Sequence, residues 1–136
     1  MRIPAGVESS SLRVRVGYID TDQAKVMHHG SYVRYLEMAR VELLRERGVD
    51  YKSFELDRRL ALPVVEVNIR YKLPARFDDA LEIKTWVGLV NRAKLRFDSV
   101  ILRGSELLTV GQITLCCISV DEQRICSMPD VLLALG

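Results

Sequence analysis

The stretch SYVRYLEMARVELLRERG, residues 31–48, decides the fold class of this chain. Tyr32, Tyr35, Leu36, Ala39 and Leu43 recur at helical spacing and form one apolar stripe. Arg34, Glu37, Arg40, Glu42, Arg45 and Glu46 fall mainly on the other side, with Glu37 and Arg40 one turn apart and expected to pair. Ser31 is a natural N-cap, because its hydroxyl can accept a free first-turn amide proton, and Gly48 is a natural stop. The spacing predicts one long amphipathic helix with a single buried face.

On both sides of this helix the period of the pattern falls to two. Before it, LRVRVGY (residues 12–18) sets Leu12, Val14, Val16 and Tyr18 against Arg13, Arg15 and Gly17. After a short helical turn expected at residues 50–57, Val65, Val67, Ile69 and Tyr71 alternate with Glu66, Asn68 and Arg70. Leu81, Ile83, Thr85, Val87 and Leu89 alternate with Glu82, Lys84 and Trp86, and Leu95, Phe97, Ser99 and Ile101 share a face. Residues 107–120 read as one long apolar strand with Gly111 as a bulge or point of close approach. A last short strand at 124–128 and a terminal helix after Pro129 complete the chain. The connections are short, so neighbouring strands run antiparallel. The fold class is α+β: one long helix against a twisted antiparallel sheet that curls around it.

A chain of 136 residues is expected to form one domain, residues 1–136, with 1–11 a loose lead-in. Basic and acidic residues nearly balance, 20 against 18, and there is no basic run, so neither nucleic acid nor an anionic membrane is an expected partner. No apolar run approaches the roughly 20 residues that span a bilayer, and the N-terminus lacks a signal-peptide core, so the expected location is the cytoplasm. Cys116, Cys117 and Cys126 have no CxxC spacing and read as reduced structural thiols, the first two on opposite faces of a strand.

The chemistry gathers just ahead of the helix, in YIDTDQAKVMHHGSY (residues 18–32). This segment holds Asp20, Asp22 and the chain's two histidines, His28 and His29. Three readings are open. The four side chains are possible metal ligands, but adjacent histidines point apart and no HExxH or Cys/His spacing occurs. They also suit a plain polar loop before a helix. The third reading is acyl transfer. A helix start presents unpaired N–H groups that can hold a developing oxyanion, and a nearby carboxylate can activate water or attack the carbonyl. No GxSxG elbow and no Gly-rich phosphate loop is present.

An Asp-Thr-Asp step, then Val26, His29, Tyr32, Tyr35, Glu37, Ala39 and Arg40 at their spacings, resembles the entry segment of the 4-hydroxybenzoyl-CoA thioesterase family of the hotdog-fold superfamily. IRYKLPARFDDALEIKTWV resembles that family's second and third strands, and the likeness runs over residues 14–120. The resemblance implies a curved antiparallel sheet wrapped around one central helix, in homodimers or homotetramers with the active site between subunits. It implies hydrolysis of an acyl-CoA or acyl carrier protein thioester without metal or other cofactor. Asp22 takes the catalytic position and Asp20 that of a loop organiser. The amides at His29 and Gly30 take the oxyanion position, with His29 also facing the thioester. His28 and Tyr32 fall along the acyl pocket, and Arg92 and Lys94 near positions that approach CoA. Two alternatives stay open: a module that binds acyl thioesters without turnover, and a hotdog dehydratase using His29 and Asp22. The chain departs from the family at Lys25, where a Gly is usual. If that position has positive φ, Lys25 is strained or the loop differs.

Overall fold

The computed structural model describes residues 2–136. Of the expected lead-in, Met1 lies outside the described residues, and Ser10 and Ser11 already belong to strand β1, Ser10–Arg15. After a tight helical turn at Tyr18–Asp20 come the long helix α1, His29–Glu46, and the short helix α2, Tyr51–Arg58. Strands β2 (Leu60–Ala61), β3 (Val64–Tyr71), β4 (Ala80–Val90), β5 (Leu95–Arg103) and β6 (Glu106–Leu115) follow. The chain closes with β7 (Cys117–Ser119), β8 (Arg124–Cys126) and helix α3 (Asp130–Leu133). Five strands form one antiparallel sheet in the order β1-β4-β5-β6-β3, and β2-β7-β8 form a smaller one.

Helix α1 buries the stripe that its period marks out: Tyr32, Tyr35, Leu36, Ala39 and Leu43, with Leu44 added. Its C-terminal stop is a Schellman motif. Gly48 sits at φ 83, its N–H donates to the Arg45 carbonyl at 3.0 Å, and the N–H of Val49 donates to Leu44 at 2.8 Å.

The sheet receives the helix in a trough of small side chains. Reading straight across the register, Ser10 lies opposite Thr85, Thr85 opposite Ser99, and Ser99 opposite Gly111. Thr85 and Ser99 satisfy each other through a hydroxyl–hydroxyl hydrogen bond of 2.8 Å. At Gly111 a Cβ would stand 2.9 Å from Leu36 Cδ1. Of the two readings of Gly111, close approach holds and a bulge does not: its pairing with Ile69 and Ser99 is regular.

Several expectations are corrected. Residues 107–120 form two strands, because at Cys116 the chain turns its N–H to the Pro63 carbonyl, 3.2 Å away, and leaves the main sheet. The first strand ends at Arg15, and Tyr18 is exposed. Ser31 is not the N-cap; that place belongs to His28, because the Ser31 hydroxyl is drawn to a tertiary partner described below. Glu37 and Arg40 form no ion pair within 4.0 Å. Instead, burial lowers the pKa of half-buried Arg40, and the charge of Glu37 only partly opposes that. Trp86 does face away from Leu81 and Ile83, yet it is buried, opposite Asp98 on the outer face. Gly88 makes room there: a Cβ would stand 2.2 Å from Asp98 Oδ2, where the Asp98–Arg96 ion pair lies. Cys117 and Cys126 are direct cross-strand partners with thiol sulfurs 3.4 Å apart, a pairing that register alone reveals. Burial, then the hydrogen bond with Cys126, pushes the Cys117 thiol up to about 12, so it stays protonated.

The edge strand β3 is the exception to half-burial. Val64, Val65, Val67 and Tyr71 are all exposed, on both of its faces. Its outer edge pairs with no strand among the described residues.

If the trough seats the helix, Gly111→Ala should destabilise the fold by about 1–2 kcal/mol, since Leu36 must shift to admit the methyl. Urea denaturation measures it. An unchanged midpoint would mean that the contact is slack.

Candidate active site

The loop ahead of α1 is folded back on itself as a small hairpin. Thr21 bridges to Met27, and the Asp22 N–H donates to the Val26 carbonyl at 3.0 Å. The Lys25 N–H returns to the Asp22 carbonyl at 3.0 Å, and Lys25 takes φ 65. A left-handed residue other than glycine costs about 1 kcal/mol. The Lys25 ammonium lies 4.2 Å from the centroid of the Tyr18 ring, and Tyr18 stacks on Phe77 at 4.0 Å. A cation–π contact at an exposed site returns about 0.5–1 kcal/mol. Lysine is therefore tolerated at the glycine position by covering the aromatic pair.

The hairpin is tied to the turn between β3 and β4. Met27 N–H donates to the Ala75 carbonyl at 2.8 Å, and Phe77 N–H to that of Lys25 at 3.0 Å. The Ala75 N–H in turn donates to the Tyr32 hydroxyl at 3.1 Å.

Asp20 anchors the same loop to the helix. Its side chain is buried and accepts from the Tyr35 hydroxyl at 2.6 Å, the Ser31 hydroxyl at 2.7 Å and the Arg34 guanidinium at 2.6 Å. Burial pushes its pKa up. The hydrogen bonds from Tyr35, Ser31 and Arg34, with the charge of Arg34, outweigh burial and hold the carboxyl well below its ordinary 3.8. Burial, then the hydrogen bond to Asp20, pushes the Tyr35 phenol up to about 12. Asp20 is thus committed to structure.

Asp22 is differently placed. It is exposed. Its Oδ1 accepts from the Ala24 N–H at 2.9 Å and the Val26 N–H at 3.4 Å, and Oδ2 takes no protein hydrogen bond among the described residues. At the helix start, the N–H groups of His29 and Gly30 likewise have no acceptor among the described residues, whereas those of His28 and Ser31 go to the carbonyls of Asp20 and His28. Two free donors and one free carboxylate oxygen thus belong to one short segment.

Beside them lies a cavity of about 310 Å³ lined by Val26, Met27, His29, Tyr32, Tyr71, Lys72, Leu73 and Pro74. The structure brings His29 and Tyr32 together on its wall and adds Tyr71, which periodicity marks only as one more strand residue. The Tyr71 hydroxyl is hydrogen-bonded to His29 Nδ1, and its ring packs edge-on against Tyr32 at 4.9 Å. His28 does not line this cavity; its ring turns back to the Ile19 carbonyl at 3.1 Å. Nor do Arg92 and Lys94 meet the loop within this chain. They follow the far end of β4, about 30 Å along the sheet, and the Arg92 guanidinium binds the Met128 carbonyl and Asp130, each at 2.9 Å.

An antiparallel sheet closed over one long helix, with the loop ahead of that helix opening on a cavity, is the hotdog fold. The chain belongs to the thioesterase-like superfamily, whose sequence profile matches residues 14–135. It is similar to the acyl-CoA thioester hydrolase YbgC of Escherichia coli O6:H1, 32% identical over 122 residues that cover 89% of this chain and 90% of that protein. It is 29% identical over 119 residues to the acyl-CoA thioesterase YbgC of Haemophilus influenzae, covering 88% of each. Among solved structures, the hypothetical protein TT1821 from Thermus thermophilus matches with a TM-score of 0.86 at 32% identity, over 93% of this chain and 99% of that one. The match is to the superfamily; the narrower likeness to 4-hydroxybenzoyl-CoA thioesterases rests on the residues of the entry segment. No helix among the described residues is long and apolar enough to cross a membrane.

The Asp20 anchor has a testable pH signature. A depressed folded-state pKa stabilises above the unfolded value, and that stability is lost as pH falls below about 3.8 toward the folded value. Asp20→Asn should lower the melting temperature at pH 7 and show a shallower further loss between pH 4 and pH 2 than wild type. Parallel melting-versus-pH curves for the two proteins would remove Asp20 as the source.

Proposed function

We propose that this chain hydrolyses an acyl thioester of CoA, or of an acyl carrier protein, to the free acid and thiol. One observation carries the reading: the unclaimed N–H groups of His29 and Gly30 lie at a helix start, beside an apolar cavity, in the segment that also carries the free oxygen of Asp22. The thioester carbonyl sits against the two amides, which receive the negative charge that develops on its oxygen. Asp22 Oδ2 takes a proton from water as it attacks, or attacks the carbonyl carbon itself; in both cases the C–S bond breaks and the thiolate leaves. Val26, Met27, Tyr32, Leu73 and Pro74 present an apolar wall to the acyl group. The reading calls for no metal or redox cofactor. The relatives named as acyl-CoA thioesterases support it.

The reading includes a second copy of the chain. β3 leaves its edge unpaired and exposes Val65 and Val67. Two copies joined antiparallel along β3 would place the β4–β5 turn of one, with Arg92 and Lys94, at the site end of the other. Those cations would then approach the phosphates of CoA from across the interface.

Asp22→Asn separates chemistry from loop structure, since the amide oxygen still accepts from Ala24. Thiol release from a panel of aliphatic and aromatic acyl-CoAs should fall by about 10²–10⁴-fold with the melting temperature nearly unchanged. Release that survives the substitution would refute the role of Asp22, and no release by wild type from any acyl-CoA would point to a binding module. For the assembly, Val67→Arg should shift the mass by light scattering to that of one chain and abolish turnover. A fully assembled variant would place the interface elsewhere.

A further inference from the structure

His29 has two ring nitrogens, and the thioesterase reading leaves open which of them carries a proton. Nδ1 is engaged by the Tyr71 hydroxyl, and Nε2 has no protein partner among the described residues. The Tyr71 hydroxyl has no other hydrogen-bond partner there, whereas Tyr32 beside it already receives the Ala75 N–H. We propose that Tyr71 is a positioning residue: it donates its hydroxyl proton to His29 Nδ1, which puts the imidazole proton on Nε2 and makes His29 a hydrogen-bond donor to the thioester carbonyl. This rests on the thioesterase reading of the site.

The bond rests on a protonated phenol held in place, and its direction fixes the tautomer. The phenol keeps its proton, since burial, then the neighbouring Tyr32, raises its pKa. A neutral imidazole that accepts at Nδ1 must donate at Nε2. And the edge-on contact of Tyr71 with Tyr32, together with the strand pairing of Tyr71 to Thr109, holds the hydroxyl in one place relative to the helix.

The consequence is a division of labour. With Nδ1 accepting and Nε2 protonated, neutral His29 has no free lone pair with which to abstract a proton. It joins the His29 and Gly30 amides as a third donor to the oxyanion, and Asp22 is left as the base or nucleophile. A dehydratase, which needs its histidine to remove a proton beside the thioester, is disfavoured by the same arrangement.

The chain's two histidines make the test direct. Nitrogen-15 shifts of both imidazoles are recorded in the ligand-free protein at alkaline pH, with His28→Asn assigning the pair. His29 is expected as the Nε2–H form, and Tyr71→Phe should move it toward a mixture of tautomers. An Nδ1–H form in wild type, or a signal that ignores Tyr71→Phe, would overturn the proposal. In turnover, His29→Gln keeps a side-chain N–H but no base. It should retain kcat within about tenfold of wild type, while His29→Ala loses about 10²-fold, as a lost oxyanion donor does. Tyr71→Phe should lower kcat about fivefold with little change in KM, and have almost no further effect in the His29→Gln background, because it acts through His29. A His29→Gln protein as inactive as His29→Ala would also overturn it. If wild type cleaves no acyl-CoA, the thioesterase reading fails, while the tautomer is still decided by the ligand-free spectra.

Discussion

The arrangement depends on how deeply helix α1 can sit in the sheet. Across the middle of the sheet, Ser10, Thr85, Ser99 and Gly111 replace the bulky residues found in the rows on either side. The helix axis can therefore approach until Leu36 meets bare backbone at Gly111. Close packing fixes the helix against sliding. Its first turn, with two unclaimed amides, is then held level with the end of β3 and the wall of the cavity. An oxyanion site made of backbone donors works only when those donors are already in place. A helix loosely seated on bulkier side chains would not hold them there.

Seating the helix does not position the carboxylate ahead of it, and that task falls to Asp20. Two aspartates one residue apart have opposite fates. Asp20 is buried, accepts from the side chains of Ser31, Arg34 and Tyr35 and holds the loop against them, while Asp22 is exposed at the turn. Because Asp20 has its charge fully paired, it leaves Asp22 as the one carboxylate of the loop with an unused oxygen. The pair also explains the helix start. Ser31 spends its hydroxyl on Asp20, so the helix extends back to His29 and its free amides move to His29 and Gly30.

What could be read from the residues alone follows the range of the interactions. The stripe of α1, the Gly48 stop, the inward face of β5 and that of β4 as far as Val87 are local periodicities, and they hold. Past Val87 the register shifts, so Leu89, expected on the inward face, is exposed and Val90 packs on the core instead. The doubt raised by Lys25 also holds: a position where glycine is usual does have positive φ. The start of α1 was misread because Ser31 answers to Asp20, eleven residues upstream, and not to its own helix. The long strand at 107–120 was misread because its break is set by Pro63, far away in sequence. Candidate site residues divide along the same line. Asp22, His29, Gly30 and Tyr32 are close in the chain and share one helix entrance. Arg92 and Lys94 depend on which end of the sheet a turn occupies, and that is a matter of topology. Tyr71 was missed because strand alternation says only which face a residue takes, never what stands across from it.

Strand β3 gives the site its remaining constraint. One side of it pairs with β6, and the other has no partner strand among the described residues. The same strand carries Tyr71, the residue proposed to orient His29, and is paired on one side only among the described residues. On the β6 side the pairing runs past Tyr71, with the N–H groups of Lys72 and Leu73 both directed to the Leu108 carbonyl. Pairing that edge with a second copy would satisfy the other side of β3, cover Val65 and Val67, and add to the contacts that already hold the Tyr71 hydroxyl on Nδ1. Assembly of that kind would then do more than bring Arg92 and Lys94 within reach of a carrier. It would stiffen the platform from which His29 is proposed to be aimed, so association and the tautomer of that imidazole would become two readings of one structural event.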